Sequence, residues 1–196
     1  MESQRLVSFI RPSREKGALV IGLSAPDEKF TVGHALYLEI GELHGGDVLS
    51  EETVSRIRDE DERRRAKRSA IAMLAYADNS CRRLYTKLCR KGFRPALATE
   101  TVEMLVAEGL LVEARQLESA VLSLAEHKLY GPYRILSALA AKGYKSAEIR
   151  EAIHAASENG DVDFSKNAKL LIENKLGAEP SVEEKRKLLF TYGYKR

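Results

Sequence analysis

The sequence contains no tryptophan, only two cysteines and five prolines in 196 residues, and no long apolar run. Cys81 and Cys89 lie eight positions apart, without CxxC spacing, and we interpret them as reduced thiols. The most apolar stretch, residues 18–23, has the length of a strand and is far shorter than the ~18–20 residues of a membrane span. Glu2 comes early, and no signal-peptide apolar region follows it. These absences predict a cytoplasmic protein without a membrane anchor.

The common catalytic signatures are also missing. The chain has no GxxxxGK[ST] phosphate loop, no GxGxxG turn, no HExxH zinc motif and no GxSxG nucleophile turn. Its four histidines are scattered and form no cluster with cysteine: His34, His44, His127 and His154. We therefore predict that the protein is not an enzyme and uses no cofactor or metal.

One acidic run could suggest a divalent-cation site. Residues 59–62 read Asp-Glu-Asp-Glu and directly precede three arginines. We favour a simpler interpretation, a solvated helix face on which Asp61 pairs with Arg65 four positions later.

The amino-terminal region, residues 1–50, predicts a small β-containing unit. Residues 5–10, 18–25 and 29–33 are rich in strand-forming residues and are separated by turn signals. So few strands are unstable alone, so we expect a hairpin or three-stranded sheet that packs on a helix. Residues 34–43 are expected to be helical.

From Ser50 onward the pattern is helical. Ser50 suits an N-cap, and Glu51 and Glu52 fall in the first turn, at the positive end of the helix dipole. No glycine or proline interrupts the chain until after residue 77. One apolar stripe follows helical spacing: Ala66, Ala70, Met73, Leu74 and Ala77.

A glycine followed by an aromatic residue recurs at nearly even spacing, at Gly92, Gly143 and Gly193. Each follows a helical segment, with a leucine four positions before it and, two positions after it, a basic residue. In a Schellman C-cap a left-handed glycine ends the helix, and the apolar residue four positions before the glycine touches the apolar residue directly after it. We predict a positive φ at all three glycines. The flanking residues are Leu88, Leu139, Leu189, Phe93, Tyr144 and Tyr194.

The helical segments around these glycines repeat as well, with three helices in about 50 residues. We therefore predict a mainly α fold, in which tandem three-helix repeats stack as an elongated, curved array behind the small β-containing segment. The predicted divisions are residues 1–50, the β region; 51–111, a linking helix and the first repeat; 112–163, the second repeat; and 164–196, a third repeat without its last helix.

Positive charge is concentrated in the first repeat. Residues 61–100 contain eleven Lys or Arg and four Asp or Glu, a net charge of +7, whereas residues 101–163 carry −4. Such a block is often only a solvated helix face. Alternatively, it forms a surface for a polyanion or an acidic protein. The candidate basic surface comprises Arg64, Arg68, Arg82, Arg83, Lys87, Arg90, Lys91, Arg94, Lys142 and Lys145.

Three segments resemble the RecX regulatory proteins of bacteria: 70–93 (AIAMLAYADNSCRRLYTKLCRKGF), 102–111 (VEMLVAEGLL) and 131–144 (GPYRILSALAAKGY). The resemblance extends over about residues 60–196 and implies tandem three-helix repeats. It also implies a cytoplasmic monomer that binds the RecA filament on single-stranded DNA, inhibits its ATPase and recombinase activities, and so regulates recombination, DNA repair and the SOS response. Two alternatives stay open, a helical repeat protein that binds DNA directly and an adaptor for another assembly.

Overall fold

The structure, a computed structural model, describes residues 5–24, 27–177 and 179–194. Over these residues the chain forms four strands and nine helices. Ala25, at the end of a predicted strand, and Lys195, after the third glycine, lie outside the described residues.

The strands form one antiparallel sheet in the order β3-β2-β1-β4. Their bounds are β1 Arg5–Pro12, β2 Ala18–Ser24, β3 Glu28–Gly33 and β4 Val48–Leu49. The expectation of at most three strands is wrong by one strand. Because β4 has only two residues, it leaves no alternating pattern in the sequence, and only its pairing with the start of β1 reveals it.

The first helix, α1 His34–Glu39, is shorter than the predicted 34–43. Gly41 adopts a φ of 84° just beyond it, so the chain turns away there. One face of the sheet packs with the start of the next helix in a buried apolar cluster. Its members are Val7, Ile21, Leu23, Phe30, Val32, Leu49, Val54 and Ile57.

The remaining helices carry most of the chain. They are α2 Glu51–Tyr76, α3 Cys81–Arg90, α4 Pro95–Ala107, α5 Glu113–Lys128, α6 Pro132–Ala141, α7 Ser146–Glu158, α8 Phe164–Leu176 and α9 Val182–Thr191. Ser50 caps α2 as predicted, since its Oγ accepts from the Thr53 N–H at 3.1 Å. The predicted apolar stripe is buried at Ala66 and Ala70 but exposed at Ala77, beyond the helix. No helix in the described residues is long and apolar enough to cross a membrane.

The chain divides into two compact units, and the boundaries between them fall within α2, α3 and α4. The first comprises Met1–Ala72 and Leu88–Thr101, and the second comprises Met73–Lys87 and Val102–Arg196. This division does not test the repeat boundaries predicted from the sequence, after residues 50, 111 and 163, which stay a prediction. The second unit has its own core, in which α5, α6 and α7 bury one another's apolar faces. Its fully buried side chains include Val121, Ala125, Ile135, Leu139 and Ile149.

The three glycine C-caps are confirmed. Gly92, Gly143 and Gly193 have φ values of 93°, 95° and 79°. In each cap the aromatic residue after the glycine donates its N–H to the carbonyl of the leucine five positions earlier, at 3.3, 3.3 and 2.9 Å. The glycine N–H donates to the carbonyl three positions earlier, which completes the Schellman pattern.

Two of these caps also contact the beginning of another helix. The cap that ends α9 lies against the start of α6, where Gly131 donates its N–H to Tyr192 O at 2.7 Å and Tyr133 donates to Gly193 O at 3.0 Å. The cap that ends α6 lies against the start of α3, where Ser80 Oγ donates to Lys142 O at 2.8 Å. Unpaired carbonyls at one helix end thus meet donors at the start of another, and the helix dipoles attract.

The contact between the α9 cap and α6 requires glycine on both sides. A Cβ at Gly131 would lie 2.5 Å from the carbonyl carbon of Gly193. A Cβ at Gly193 would overlap the backbone of Arg134. Gly193 therefore serves the packing of α9 against α6 as well as helix termination.

Candidate polyanion-binding surface

Helix α3 carries four of the ten predicted basic residues. Arg82, Arg83 and Arg90 are exposed, and in the described part of the chain none of the three side chains forms an ion pair. Lys87 is only half-exposed, and its Nζ donates to Asn79 Oδ1 at 2.5 Å. Partial burial, and secondarily the charge of Arg83, lowers the pKa of Lys87. The three arginines are named here the α3 arginine face.

Two further predicted residues lie near the start of α3, in the second unit. The backbone carbonyl of Lys142 accepts from Ser80, and Gly143 lies against Arg82. Lys145 is exposed and forms an ion pair with Glu148 at 2.8 Å, which raises the pKa of Lys145. We call the set of Arg82, Arg83, Lys142 and Lys145 the α3–α6 junction.

Three of the other predicted residues are neutralised within the first unit. Arg64 pairs with Glu15 and Glu60, and Arg68 also pairs with Glu15. Arg94 pairs with Glu62 at 2.8 Å and with Asp59 at 3.3 Å, and the hydrogen bond that it donates to Glu62 is the main cause of its raised pKa.

Lys91 makes a polar contact instead of an ion pair. Its Nζ donates to Ser69 Oγ at 2.9 Å, also within the first unit. These four side chains are thus engaged with their own unit, and they present less free charge than the α3 arginine face.

The acidic run before these arginines has a structural role. Asp61 pairs with Arg65 at 4.0 Å, as expected, but a solvated position is wrong for Asp61, which is 8% exposed. Its Oδ1 accepts from the Thr31 N–H of β3 at 2.8 Å. Because β3 is an edge strand, this bond satisfies an outward amide and ties α2 to the sheet. In the residues that the structure describes, no three His, Cys, Asp or Glu side chains group as a metal site.

The two cysteines are free thiols. Cys81 lies at the start of α3, and its partial burial together with a hydrogen bond to Glu113 raises its pKa to about 12. A thiol with such a pKa is almost fully protonated at neutral pH, so Cys81 is a poor nucleophile.

An acidic groove that the sequence analysis did not single out lies between α5 and α7. Four glutamates and a floor of smaller apolar side chains surround a cavity of about 460 Å³. The only signal in the sequence is the net charge of −4 over residues 101–163, because the glutamates come from two helices that are distant along the chain. The lining residues are Glu113, Ala114, Leu117, Glu118, Glu148, Glu151, Ala152 and Ala155.

Comparison with known proteins places this chain in a family. No family model matches the chain. A regulatory protein RecX from Pseudomonas savastanoi pv. phaseolicola is 38% identical over 87 residues, which cover 44% of this chain and 56% of that protein. A regulatory protein RecX from Xanthomonas oryzae pv. oryzae is 31% identical over 114 residues, which cover 58% of this chain and 68% of that protein. The chain belongs to the RecX family.

A solved RecX structure has the same fold. The crystal structure of a regulatory protein RecX matches with a TM-score of 0.72, over 97% of this chain and 95% of that chain, at 20% identity. The sequence match to the Pseudomonas RecX spans little more than half of that protein's length. The family and the mainly helical fold expected from the three quoted segments are therefore confirmed.

Proposed function

We propose that this RecX-family protein binds the RecA filament on single-stranded DNA and inhibits its ATPase and recombinase activities. The observation that carries the proposal is the α3 arginine face, three exposed arginines without an ion pair in the described residues, on a member of a family whose relatives are named regulatory proteins. A filament of protein on DNA offers phosphates and carboxylates to such a face.

Arginine suits this task for a physical reason. Its planar guanidinium stays charged and binds phosphate or carboxylate through two parallel hydrogen bonds. An exposed cation without an internal partner keeps this capacity, whereas Arg64 and Arg94 are already paired with neighbouring carboxylates. Binding along a filament blocks subunit addition or exchange by occupancy alone, so the mechanism needs no catalytic residue.

The direct test adds purified protein, in substoichiometric amounts, to RecA, single-stranded DNA and ATP. ATP hydrolysis and strand exchange are followed together, and we expect both to fall. Tight binding to bare DNA without an effect on RecA would favour direct DNA binding. Failure to bind either would leave the adaptor function.

A pair of matched variants tests the role of the α3 arginine face. The triple variant Arg82→Ala, Arg83→Ala, Arg90→Ala is expected to lose inhibition at least about tenfold. The log–log salt dependence of binding should flatten by about 2 units, since each contact with a single-strand phosphate contributes roughly 0.7. The control variant removes three arginines that already have carboxylate partners: Arg56→Ala, Arg63→Ala and Arg65→Ala. Equal losses of inhibition in the two triple variants would contradict a specific role for α3.

A further inference from the structure

Two oppositely charged surfaces share a border in the second unit. The α3–α6 junction supplies the cations, and the groove between α5 and α7 supplies the carboxylates. Glu113 of the groove lies close enough to the Cys81 thiol, next to Arg82, to contribute to its raised pKa. Glu148 of the groove pairs with Lys145 of the junction. The two surfaces are therefore immediate neighbours.

Lys145 interacts with two of the four groove glutamates, Glu148 and Glu113, and the other two form no ion pair among the described residues. Among the described residues, Glu148 is the only groove glutamate that forms an ion pair with a basic side chain. Glu118 and Glu151 are exposed, and the arginines of the same helices, Arg115 and Arg150, do not line the groove. The structure thus leaves a carboxylate-rimmed groove with an apolar floor facing solvent.

We propose that the groove is occupied by the α3–α6 junction of a second copy of this chain, in a two-fold symmetric dimer. Such a dimer differs from the monomer that the resemblance to RecX proteins implies. A surface with adjacent positive and negative halves is self-complementary, because a two-fold axis between the halves brings each junction to the groove of the other copy. Both contacts then form at once. The occupant follows from charge complementarity, since the matching surface is carried by the same molecule.

The side chains of the junction fit the groove chemically as well as in charge. Arg82 and Arg83 are long enough to lay their methylene groups on the floor of Leu117 and Ala152 while their guanidinium groups reach the carboxylates. Arginine pairs with carboxylate through two parallel hydrogen bonds, which adds orientation to attraction. The dimer does not depend on the proposed recombinase, but it uses two arginines of the α3 arginine face, so copies compete with a polyanion.

The test measures the mass of the protein alone, by light scattering after size-exclusion chromatography and by sedimentation. At low salt and rising protein concentration we expect a dimer, and raised salt should return it to monomer because exposed charges are screened. A mass that stays monomeric at low salt up to high protein concentration overturns the proposal, whatever the effect on RecA.

Charge reversal identifies the two surfaces. The groove variant Glu118→Lys, Glu151→Lys and the junction variant Arg82→Glu, Arg83→Glu should each weaken dimerisation at least about tenfold. An equimolar mixture of the two should recover a one-to-one dimer, because each reversed surface then meets its opposite. A mixture that stays monomeric, or a dimer that survives both variants, contradicts the assignment.

A control variant with the same change in net charge lies on the same helices. Glu126→Lys, Glu158→Lys is exposed and does not line the groove, so it should dimerise like the unmodified protein. Equal weakening in this control would mean that total charge, and not the groove, governs association, which would also overturn the proposal. Far-ultraviolet circular dichroism confirms that each variant is folded before its mass is compared.

Discussion

The cap at Gly92 and the cap at Gly193 have the same local geometry but different surroundings. Both glycines have positive φ and the same pair of backbone hydrogen bonds. Around Gly193 the backbone of Arg134 fills the space where a Cβ would stand, whereas no such atom lies within 4 Å at Gly92. At Gly92 the motif ends a helix. At Gly193 it ends a helix and also joins that helix to the start of α6.

The largest effect is expected for Gly193→Ala. The new Cβ meets left-handed backbone strain and the Arg134 backbone together, which we expect to cost about 4 kcal/mol of unfolding free energy. Urea denaturation measures it. A loss no greater than that at Gly92 would mean that the two caps are equivalent after all.

Gly131→Ala separates the contact from the strain. The φ of Gly131 is −78°, which any residue adopts, yet its Cβ would lie 2.5 Å from the backbone of Gly193. Overpacking of this kind costs about 2 kcal/mol. If the variant were as stable as the unmodified protein in the same urea titration, the close approach of α9 and α6 would not contribute to stability.

Gly92→Ala gives the strain alone. Its φ of 93° is unfavourable for alanine, and the space around it is open, so a cost of about 1.5 kcal/mol is expected. Thermal unfolding followed by circular dichroism suits this smaller change. The three alanine variants should rank Gly193, Gly131, Gly92, and any other order rejects the separation into contact and strain.

The smallest effect concerns the aromatic residue of the α9 cap. Tyr194 donates its hydroxyl to Leu129 O at 3.0 Å, and Leu129 has a φ of 52°, the one positive φ among the described non-glycine residues. Tyr194→Phe should lower the free energy of unfolding by about 1 kcal/mol. The control is Tyr144→Phe in the α6 cap, which should cost less, because no hydrogen bond of that hydroxyl is among those found in the described residues.

Because of Tyr194, the free energy of unfolding is expected to depend on pH. Burial raises the pKa of Tyr194 from 10.0 to about 12, so the folded state keeps a proton that the unfolded state loses near pH 10. The stabilisation is complete below pH 10 and is lost as the pH rises toward 12. Urea titrations across this range should show a steeper loss for the unmodified protein than for Tyr194→Phe. Parallel curves would contradict the assignment.

Features that depend on neighbours in sequence could be predicted from the sequence. The positive φ of the three glycines, the Ser50 cap and the capping box of Ser181 with Glu184 all require residues within about five positions of one another. The contact of Gly131 with Tyr192 and the bond of Asp61 to Thr31 join residues 61 and 30 positions apart. Such contacts leave no periodic pattern, and only the folded chain reveals them.

The candidate surface shows the same division. The density of basic residues in α3 was visible in the sequence, but the carboxylates that neutralise their neighbours were not. Glu15 pairs with Arg64 across 49 positions, and Glu62 pairs with Arg94 across 32. Ten candidates therefore reduce to a small exposed face only after the fold brings these carboxylates into place.

Helices α3, α6 and α9 each end at one of the three glycine caps, and α9 begins differently from the other two. The third helical position is Arg83 in α3 and Arg134 in α6, and Arg134 donates to the Thr191 carbonyl of the docked cap. In α9 it is Glu184, whose carboxylate turns back to the Ser181 N–H at 2.9 Å. A carboxylate repels the carbonyl oxygens that end a helix. The helix starts therefore differ in the charge they present: that of α6 donates to a carbonyl of a helix end, whereas that of α9 carries a carboxylate that would repel such carbonyls.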